Sequence, residues 1–273
     1  MIQSLTYDSL NKLDVWHDMP TITLDEMRSV KLMNRIDTKY VLSEEEVLRL
    51  LDSTLEAGYR VQIIDGVRAC RYLTLYYDTA SREMFTVHHN RKLTRQKLRT
   101  RTYLESGTTF FEIKNKSNRG RTKKRRIEIK AEELMCFSQN AEARELLANN
   151  SHYTTDELRP ALITSFSRIT LVNPTLTERS TIDLGLEYED ARTGNKASIE
   201  RMAIVEIKQD GNSESMLKLM LRNMHIAPLK VSKYCLGTTL TVEGIKRNRF
   251  KAKLRNIAKR LGTQEIITQN SNL

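Results

Sequence analysis

From Arg95 to Tyr103 the chain reads Arg-Gln-Lys-Leu-Arg-Thr-Arg-Thr-Tyr, an alternation of cations with polar or apolar residues. A β-strand sends successive side chains to opposite faces. Extended, this run therefore puts Arg95, Lys97, Arg99, Arg101 and Tyr103 on one side, and Gln96, Leu98, Thr100 and Thr102 on the other. Like charges at that spacing repel unless acidic side chains or a polyanion lie opposite. The pattern returns in Glu112, Lys114 and Lys116, which alternate with Phe111, Ile113 and Asn115, and in Lys124 and Arg126, which alternate with Arg125 and Ile127. Repeated basic faces at period two imply a closed sheet whose charged sides converge on something rich in phosphate.

The net charge of +11 is concentrated in this region. Between Arg91 and Arg126 the only acids are Glu105 and Glu112, against fourteen Lys and Arg. That concentration calls for an anionic partner: nucleic acid, an anionic membrane surface or a small polyphosphate. The basic strands carry few interleaved aromatics for base stacking, so nucleic acid is not expected. Cys70, Cys136 and Cys235 are odd in number, widely spaced and outside any CxxC pair, and read as reduced, mostly buried thiols. No amino-terminal apolar leader and no apolar stretch of membrane-spanning length are visible, so the expectation is a cytoplasmic protein, at most peripheral to a membrane.

Along the chain, Thr23 and Glu26 form a capping box ahead of a helix bearing Met27, Val30 and Met33. Asn34 to Leu42 reads as a strand with Arg35, Asp37 and Lys39 on one face. Ser43 and Glu46 open a helix with Val47, Leu51 and Leu55 on one stripe. Strands are expected at 59–64, 71–77, 84–88, 92–104, 109–116 and 122–129. Turns fall at Asp65-Gly66, Ser106-Gly107 and Asn118-Arg119-Gly120. A helical stretch spans 131–149, and strands resume at 161–172, 180–188 and 202–208. Ser213 should cap a helix whose Met216, Met220 and Met224 pack into the core. A last helix, about 241–261, places Phe250, Leu254, Ile257 and Leu261 on one stripe. Lys246, Arg247, Arg249, Lys251, Lys253, Arg255, Lys259 and Arg260 cover the rest. Such a helix can lie on an anionic membrane surface, dock on a membrane-protein partner, or pack on its own domain. No repeat or linker is visible, so residues 1–273 read as a single domain with a core at about 27–240.

No GxxxxGK[ST] segment is present, which excludes a P-loop at motif level, and the five His are too scattered for a zinc site or a nucleophile triad. The remaining motifs follow a recognisable order. They are Leu32-Met33-Asn34-Arg35-Ile36-Asp37-Thr38-Lys39-Tyr40, Tyr76-Tyr77-Asp78-Thr79, Lys97 to Tyr103, and Phe111-Glu112-Ile113-Lys114-Asn115-Lys116. Ser167-Arg168, Arg179 with Asp183, Val205-Glu206-Ile207-Lys208 and Lys230-Val231-Ser232-Lys233-Tyr234 complete the set. Together these resemble the VTC domain, the polyphosphate polymerase domain of vacuolar transporter chaperone complexes, within the triphosphate tunnel metalloenzyme superfamily. The resemblance spans about Met27 to Leu236.

The resemblance implies an α+β fold: an antiparallel barrel of about eight strands, open as a tunnel, with helices packed outside. It implies transfer of the γ-phosphate of ATP to a polyphosphate chain, with Mn2+ or Mg2+. Expected substrates and ligands are ATP, triphosphate and polyphosphate. The resemblance implies that Lys39, Arg99, Arg101, Lys114, Arg168 and Arg179 hold the transferring phosphoryl group. Arg35, Lys97, Lys116, Lys124, Arg126, Lys208, Lys230 and Lys233 would hold the rest of the phosphate chain, and Glu206 the metal. These residue types suit the chemistry, because phosphoryl transfer asks mainly for positioning and positive charge around the moving group. Glu112 and Asp183 read as charge balancers, Arg35 and Asp37 as a pair, Lys123 and Arg125 as solvated. His88 and His89 are expected at a strand end near the mouth, in structural hydrogen bonds.

The hydrolytic branch of the superfamily opens with ExExK, whereas this chain has Arg35-x-Asp37-x-Lys39. The difference favours the polymerase-like branch over adenylate cyclase or thiamine-triphosphatase relatives. Eukaryotic complexes join the domain to an inositol-phosphate sensing SPX domain and to membrane helices. Neither is seen in this sequence, so those functions are not carried over. A tripolyphosphatase or nucleoside triphosphatase, and a non-catalytic polyphosphate- or nucleotide-binding module, are the alternative functions.

Overall fold

A computed structural model describes residues 4–27, 35–119, 122–211, 214–263 and 266. In chain order the elements are α1 Tyr7–Leu10, β1 Thr21–Ile22, α2 Leu24–Met27, β2 Arg35–Ser43, α3 Glu44–Glu56, β3 Arg60–Gln62, β4 Ala69–Thr79 and α4 Glu83–His89. They continue with β5 Arg95–Tyr103, β6 Thr108–Lys116, β7 Thr122–Ile129, α5 Ala141–Asn150, β8 Leu158–Val172 and β9 Glu178–Asp190. The chain finishes with β10 Lys196–Ser198, β11 Met202–Asp210, α6 Met216–Asn223, α7 Lys233–Thr241 and α8 Asn248–Leu261.

Eight long strands run in the order β2-β11-β9-β8-β4-β5-β6-β7, antiparallel throughout. The short β1, β3 and β10 are appended at the sides, and β1 and β3 pair in parallel. The sheet curls so far that Lys39 of β2 and Lys97 of β5, five places apart in the order, feel each other's charge. Among the described residues β2 and β7 do not pair, so the barrel keeps an open seam and is not fully closed.

The outer face is apolar and covered by helices. Tyr40, Leu42, Ile182, Val205 and Ile207 pack against Val47, Leu50 and Leu51 of α3 and Leu217 and Leu221 of α6. Leu75, Leu98, Phe111 and Ile113 pack against Phe137 and against Ala143 and Leu147 of α5. A third cluster closes one end of the barrel from within. There α7, carrying Tyr234, Cys235 and Leu236, meets Val41, Tyr76, Leu162, Tyr188 and Ile204. Gly237 is required at this contact: a Cβ there would sit 2.4 Å from the Tyr188 ring and 2.7 Å from Leu162.

The Ser43–Glu46 capping box forms as expected, with Glu46 N–H donating to Ser43 Oγ at 3.2 Å. Residues 84–88 are helical and not a strand, because the buried Asp78 carboxylate accepts the amides of Met84 and Phe85 and so nucleates α4. The 131–149 stretch breaks into two 3-10 turns before α5. Helix α6 is capped by Ser215 and buries Leu217 and Leu221, while Met216 is exposed and Met220 and Met224 are partly buried. The expected cap Ser213, the helix continuation through Val30 and Met33, and Gly120 of the hairpin turn lie outside the described residues.

The final helix begins at Asn248, with α7 ending at Thr241 before it. Its apolar stripe is spent on the domain: Leu254 and Ile257 are buried, with Phe250 and Leu261 packed beside them. That face is therefore not available for a membrane; Arg249, Lys251, Arg255 and Lys259 are exposed, while Arg260 pairs with Glu46 at 2.9 Å and Lys253 lies over the Phe250 ring. Among the described residues no helix is long and apolar enough to cross a membrane.

Candidate functional site

Alternation works as expected on every strand that lines the barrel. Inward go Arg35, Asp37 and Lys39 from β2, Glu206 and Lys208 from β11, Arg179 and Asp183 from β9, and Phe166 and Arg168 from β8. Tyr72, Thr74 and Tyr76 follow from β4, Lys97, Arg99 and Arg101 from β5, Glu112, Lys114 and Lys116 from β6, and Lys124 and Arg126 from β7. Lys233 projects in from the first turn of α7. Arg99, Lys114 and Arg168 thus belong to one interior. Arg99 is the largest influence on Lys114, and Arg101 feels the charge of both Arg99 and Arg168.

Part of this positive charge is balanced. Glu112, fully buried, accepts from Arg99 Nε at 2.6 Å and pairs with Lys124. Asp183, 1% exposed, takes a two-pronged grip from Arg168, Nε at 2.5 Å and Nη2 at 2.9 Å, and pairs with Lys233. Burial raises the pKa of both carboxyls, but these cations outweigh it and hold them below the ordinary carboxylate range. Glu206 lies 2.7 Å from Lys39 and 3.5 Å from Lys208, and stays well below the usual range although burial opposes ionisation. Arg35 and Asp37 pair at 2.5 Å.

The rest is not balanced. Lys97, Arg101, Lys114 and Arg179 make no ion pair among the described residues. Lys97 is 3.4 Å from Ser232 Oγ, and Arg101 Nε donates to Thr74 Oγ1 at 2.9 Å. Their charged forms are disfavoured. Arg99 and then burial push Lys114 down to about 6. Burial first, then neighbouring cations, lowers Arg101 and Arg179. Burial lowers Lys97, and brings Lys208 and Lys233 to about 8. An interior that holds so many cations against their own repulsion is electrostatically built for an anion.

Two aromatic rings form a floor that the sequence alone did not reveal. Arg168 lies over Tyr72 at 4.8 Å and Phe166 at 5.3 Å, Arg101 over the same rings at 5.4 and 5.8 Å, and Lys233 over Phe166 at 4.5 Å. The two rings are stacked at 5.2 Å. The readable signal is Phe166 two residues before Arg168 on one strand face, but its pairing with Tyr72 across β4 and β8 is set by register.

Other expected residues sit at the edges. Arg126 is exposed with its guanidinium 4.2 Å from the Phe110 ring centroid. Lys230 is exposed at the rim, near enough to Lys116 to lower its pKa, although burial and Arg95 matter more. Lys123 and Arg125 are exposed, as read from the alternation. His88 lies on α4 with Nδ1 3.0 Å from Cys235 Sγ, and burial followed by Lys97 lowers it to about 3. His89 is buried, 2.8 Å from Asn248. All three cysteines are free; Cys70 and Cys235 are buried and Cys136 is half-buried.

Among the described residues no three His, Cys, Asp or Glu side chains cluster as a self-sufficient metal site. The donor set fits a different arrangement. Glu206 is 17% exposed to the interior, and one carboxylate plus phosphate oxygens and water is a normal shell for magnesium.

Residues 34–242 match the model of the VTC domain family. No curated protein matches the chain significantly. Among solved structures, the chain is similar to a Bacillus halodurans protein described as a candidate adenylate cyclase, at 17% identity over 73% of this chain and 96% of that one, with a TM-score of 0.48. It is similar to a Hippeastrum protein described as a candidate adenylyl cyclase with a dominant triphosphatase activity, at 15% identity over 77% and 98%, TM-score 0.48. A Vibrio parahaemolyticus protein described as a candidate adenylate cyclase shows 12% identity over 74% and 96%, TM-score 0.44. These distant likenesses concern the fold alone. With more than half of its length matched by one family model, the chain belongs to the VTC domain family.

Proposed function

We propose that this protein is an ATP-dependent polyphosphate polymerase. The observation that carries the reading is the set Lys97, Arg101, Lys114 and Arg179, which points into one interior from β5, β6 and β9 without carboxylate partners. A chain of phosphates is the anion that can satisfy cations spaced along a tunnel.

In this reading the triphosphate of ATP lies among Arg99, Arg101, Lys114, Lys39, Arg168 and Arg179. Arg binds phosphate as a fork and Lys as a point charge, so together they fix the γ-phosphorus and neutralise its equatorial oxygens. A terminal oxygen of the acceptor chain bonds to the γ-phosphorus while the bond to the β–γ bridging oxygen breaks, and ADP leaves with that electron pair. Arg35, Lys97, Lys116, Lys124, Arg126, Lys208, Lys230 and Lys233 would hold the remaining phosphates. Mn2+ or Mg2+ would be held by Glu206 and would supply further charge neutralisation on the phosphates. The Tyr72–Phe166 floor keeps Arg101 and Arg168 in place.

The test is incubation of the pure protein with ATP and Mn2+, followed by gel separation of the products. Chains longer than triphosphate are expected. Orthophosphate alone would mean that water is the acceptor and the protein is a triphosphatase. Tight triphosphate binding without turnover in either metal would make it a binding module.

A further inference from the structure

Two tyrosines meet in the wall of the tunnel, with ring centroids 5.2 Å apart, and their hydroxyls have opposite surroundings. Tyr234 of α7 donates its proton to the buried carboxylate of Asp78. Tyr76 of β4 is also buried, 6% exposed, but its neighbours are cations. It is the register partner of Arg99, whose guanidinium charge acts on its phenol oxygen. Lys97 and Arg101 act on it from β5 and Lys233 from α7. Tyr188 of β9 and Tyr234 are the other titratable groups packed around it.

An oxygen facing a guanidinium turns its lone pairs toward that charge and points its own proton elsewhere. Among the described residues no hydrogen bond takes that proton: Arg99, Arg101, Lys97 and Lys233 can only donate, the Tyr234 hydroxyl is bonded to Asp78, and the Tyr188 hydroxyl makes no hydrogen bond. A buried hydroxyl donor without an acceptor costs free energy until something supplies a lone pair. Phosphate oxygens are the acceptors this tunnel is charged to attract.

We infer that Tyr76 is a substrate-contacting residue, whose hydroxyl donates to a phosphate oxygen of the bound chain while its oxygen faces the Arg99 guanidinium. This rests on the reading of the tunnel as a phosphate channel and adds a neutral donor to its cations. The same surroundings favour the phenolate: burial opposes ionisation, but Arg99, Arg101, Lys97 and Lys233 outweigh it, and the phenol lies below its ordinary value of 10.0. A phosphate oxygen in contact removes that advantage, so a bound chain should move the ionisation upward.

The experiment compares the protein with Tyr76→Phe, which keeps the ring and removes only the hydroxyl. Tripolyphosphate binding is measured calorimetrically without metal, alongside thermal melting and the alkaline titration of tyrosinate absorbance. The variant should melt like the parent and bind tripolyphosphate about 10-fold more weakly, the size expected for one hydrogen bond to a charged acceptor. The parent should show an early-ionising tyrosine that tripolyphosphate shifts upward and the variant lacks. Equal affinity and unchanged titration in a folded variant would overturn the role of Tyr76 alone. Absence of tripolyphosphate binding in the parent would overturn the phosphate-channel reading and this inference with it.

Discussion

Asp183→Asn removes one negative charge from a position that is 1% exposed and leaves Arg168 and Lys233 without their shared counter-charge. The lost contacts are two short guanidinium bonds, 2.5 and 2.9 Å, and one ammonium pair. Breaking a buried pair from one side costs about 3–5 kcal/mol, because the remaining charge stays buried. Arg168 and Lys233 keep 13% and 12% side-chain exposure, which places the expected loss at the low end, about 3 kcal/mol. A chain of this size melts roughly 2–4 °C lower per kcal/mol, so the melting temperature should fall by about 6–12 °C. The same change frees two cations to meet an anion. Tripolyphosphate should therefore bind the variant more tightly and recover most of the lost stability, since ligand at about 100 times its Kd adds about 2.7 kcal/mol. Thermal melts with and without tripolyphosphate, plus a calorimetric titration, measure both halves. A variant as stable as the parent, or one that tripolyphosphate stabilises no more than the parent, would refute the charge-balance reasoning.

Further outcomes follow from the same interior. Lys114, at about 6 when the tunnel is empty of anion, should take up a proton when phosphate binds. Between pH 6 and its ordinary value of 10.5 the complex then holds more protons than the free protein, so affinity rises as pH falls through that window; calorimetry in buffers of different ionisation enthalpy reads the uptake directly. Glu206→Ala should leave metal-free triphosphate binding intact or tighter, because Lys39 and Lys208 lose their counter-charge, and should abolish metal-stimulated turnover; unchanged turnover would remove Glu206 from the metal role. Gly237→Ala should cost about 2 kcal/mol or more in denaturant unfolding, because the new methyl collides with Tyr188 and Leu162 where α7 closes the barrel.

The basic strands were legible because period-two alternation is a local property, and each cation on β5, β6 and β7 faces where its parity puts it. The capping box at Ser43 was legible for the same reason. What escaped was set by contacts distant in sequence. Met84 to His88 has the apolar and β-branched content of a strand, and side chains delivered by the end of β4, the Asp78 carboxylate and the Thr79 hydroxyl, cap its first turn as a helix. Asp183 looked like a single charge balancer, whereas the fold brings Arg168 from β8 and Lys233 from α7 to its two oxygens. The last helix left membrane, partner and own-domain packing all open, because an amphipathic stripe does not say what covers it, and the surface that covers it is the barrel end. The open seam between β2 and β7 has no signature in either strand taken alone.

A crystal structure of the protein soaked with tripolyphosphate tests the phosphate-channel claim most directly. The three phosphates should lie inside the barrel, touched by Arg101, Lys114 and Arg179. Tripolyphosphate bound only on the outer surface, with those three side chains untouched, would contradict it.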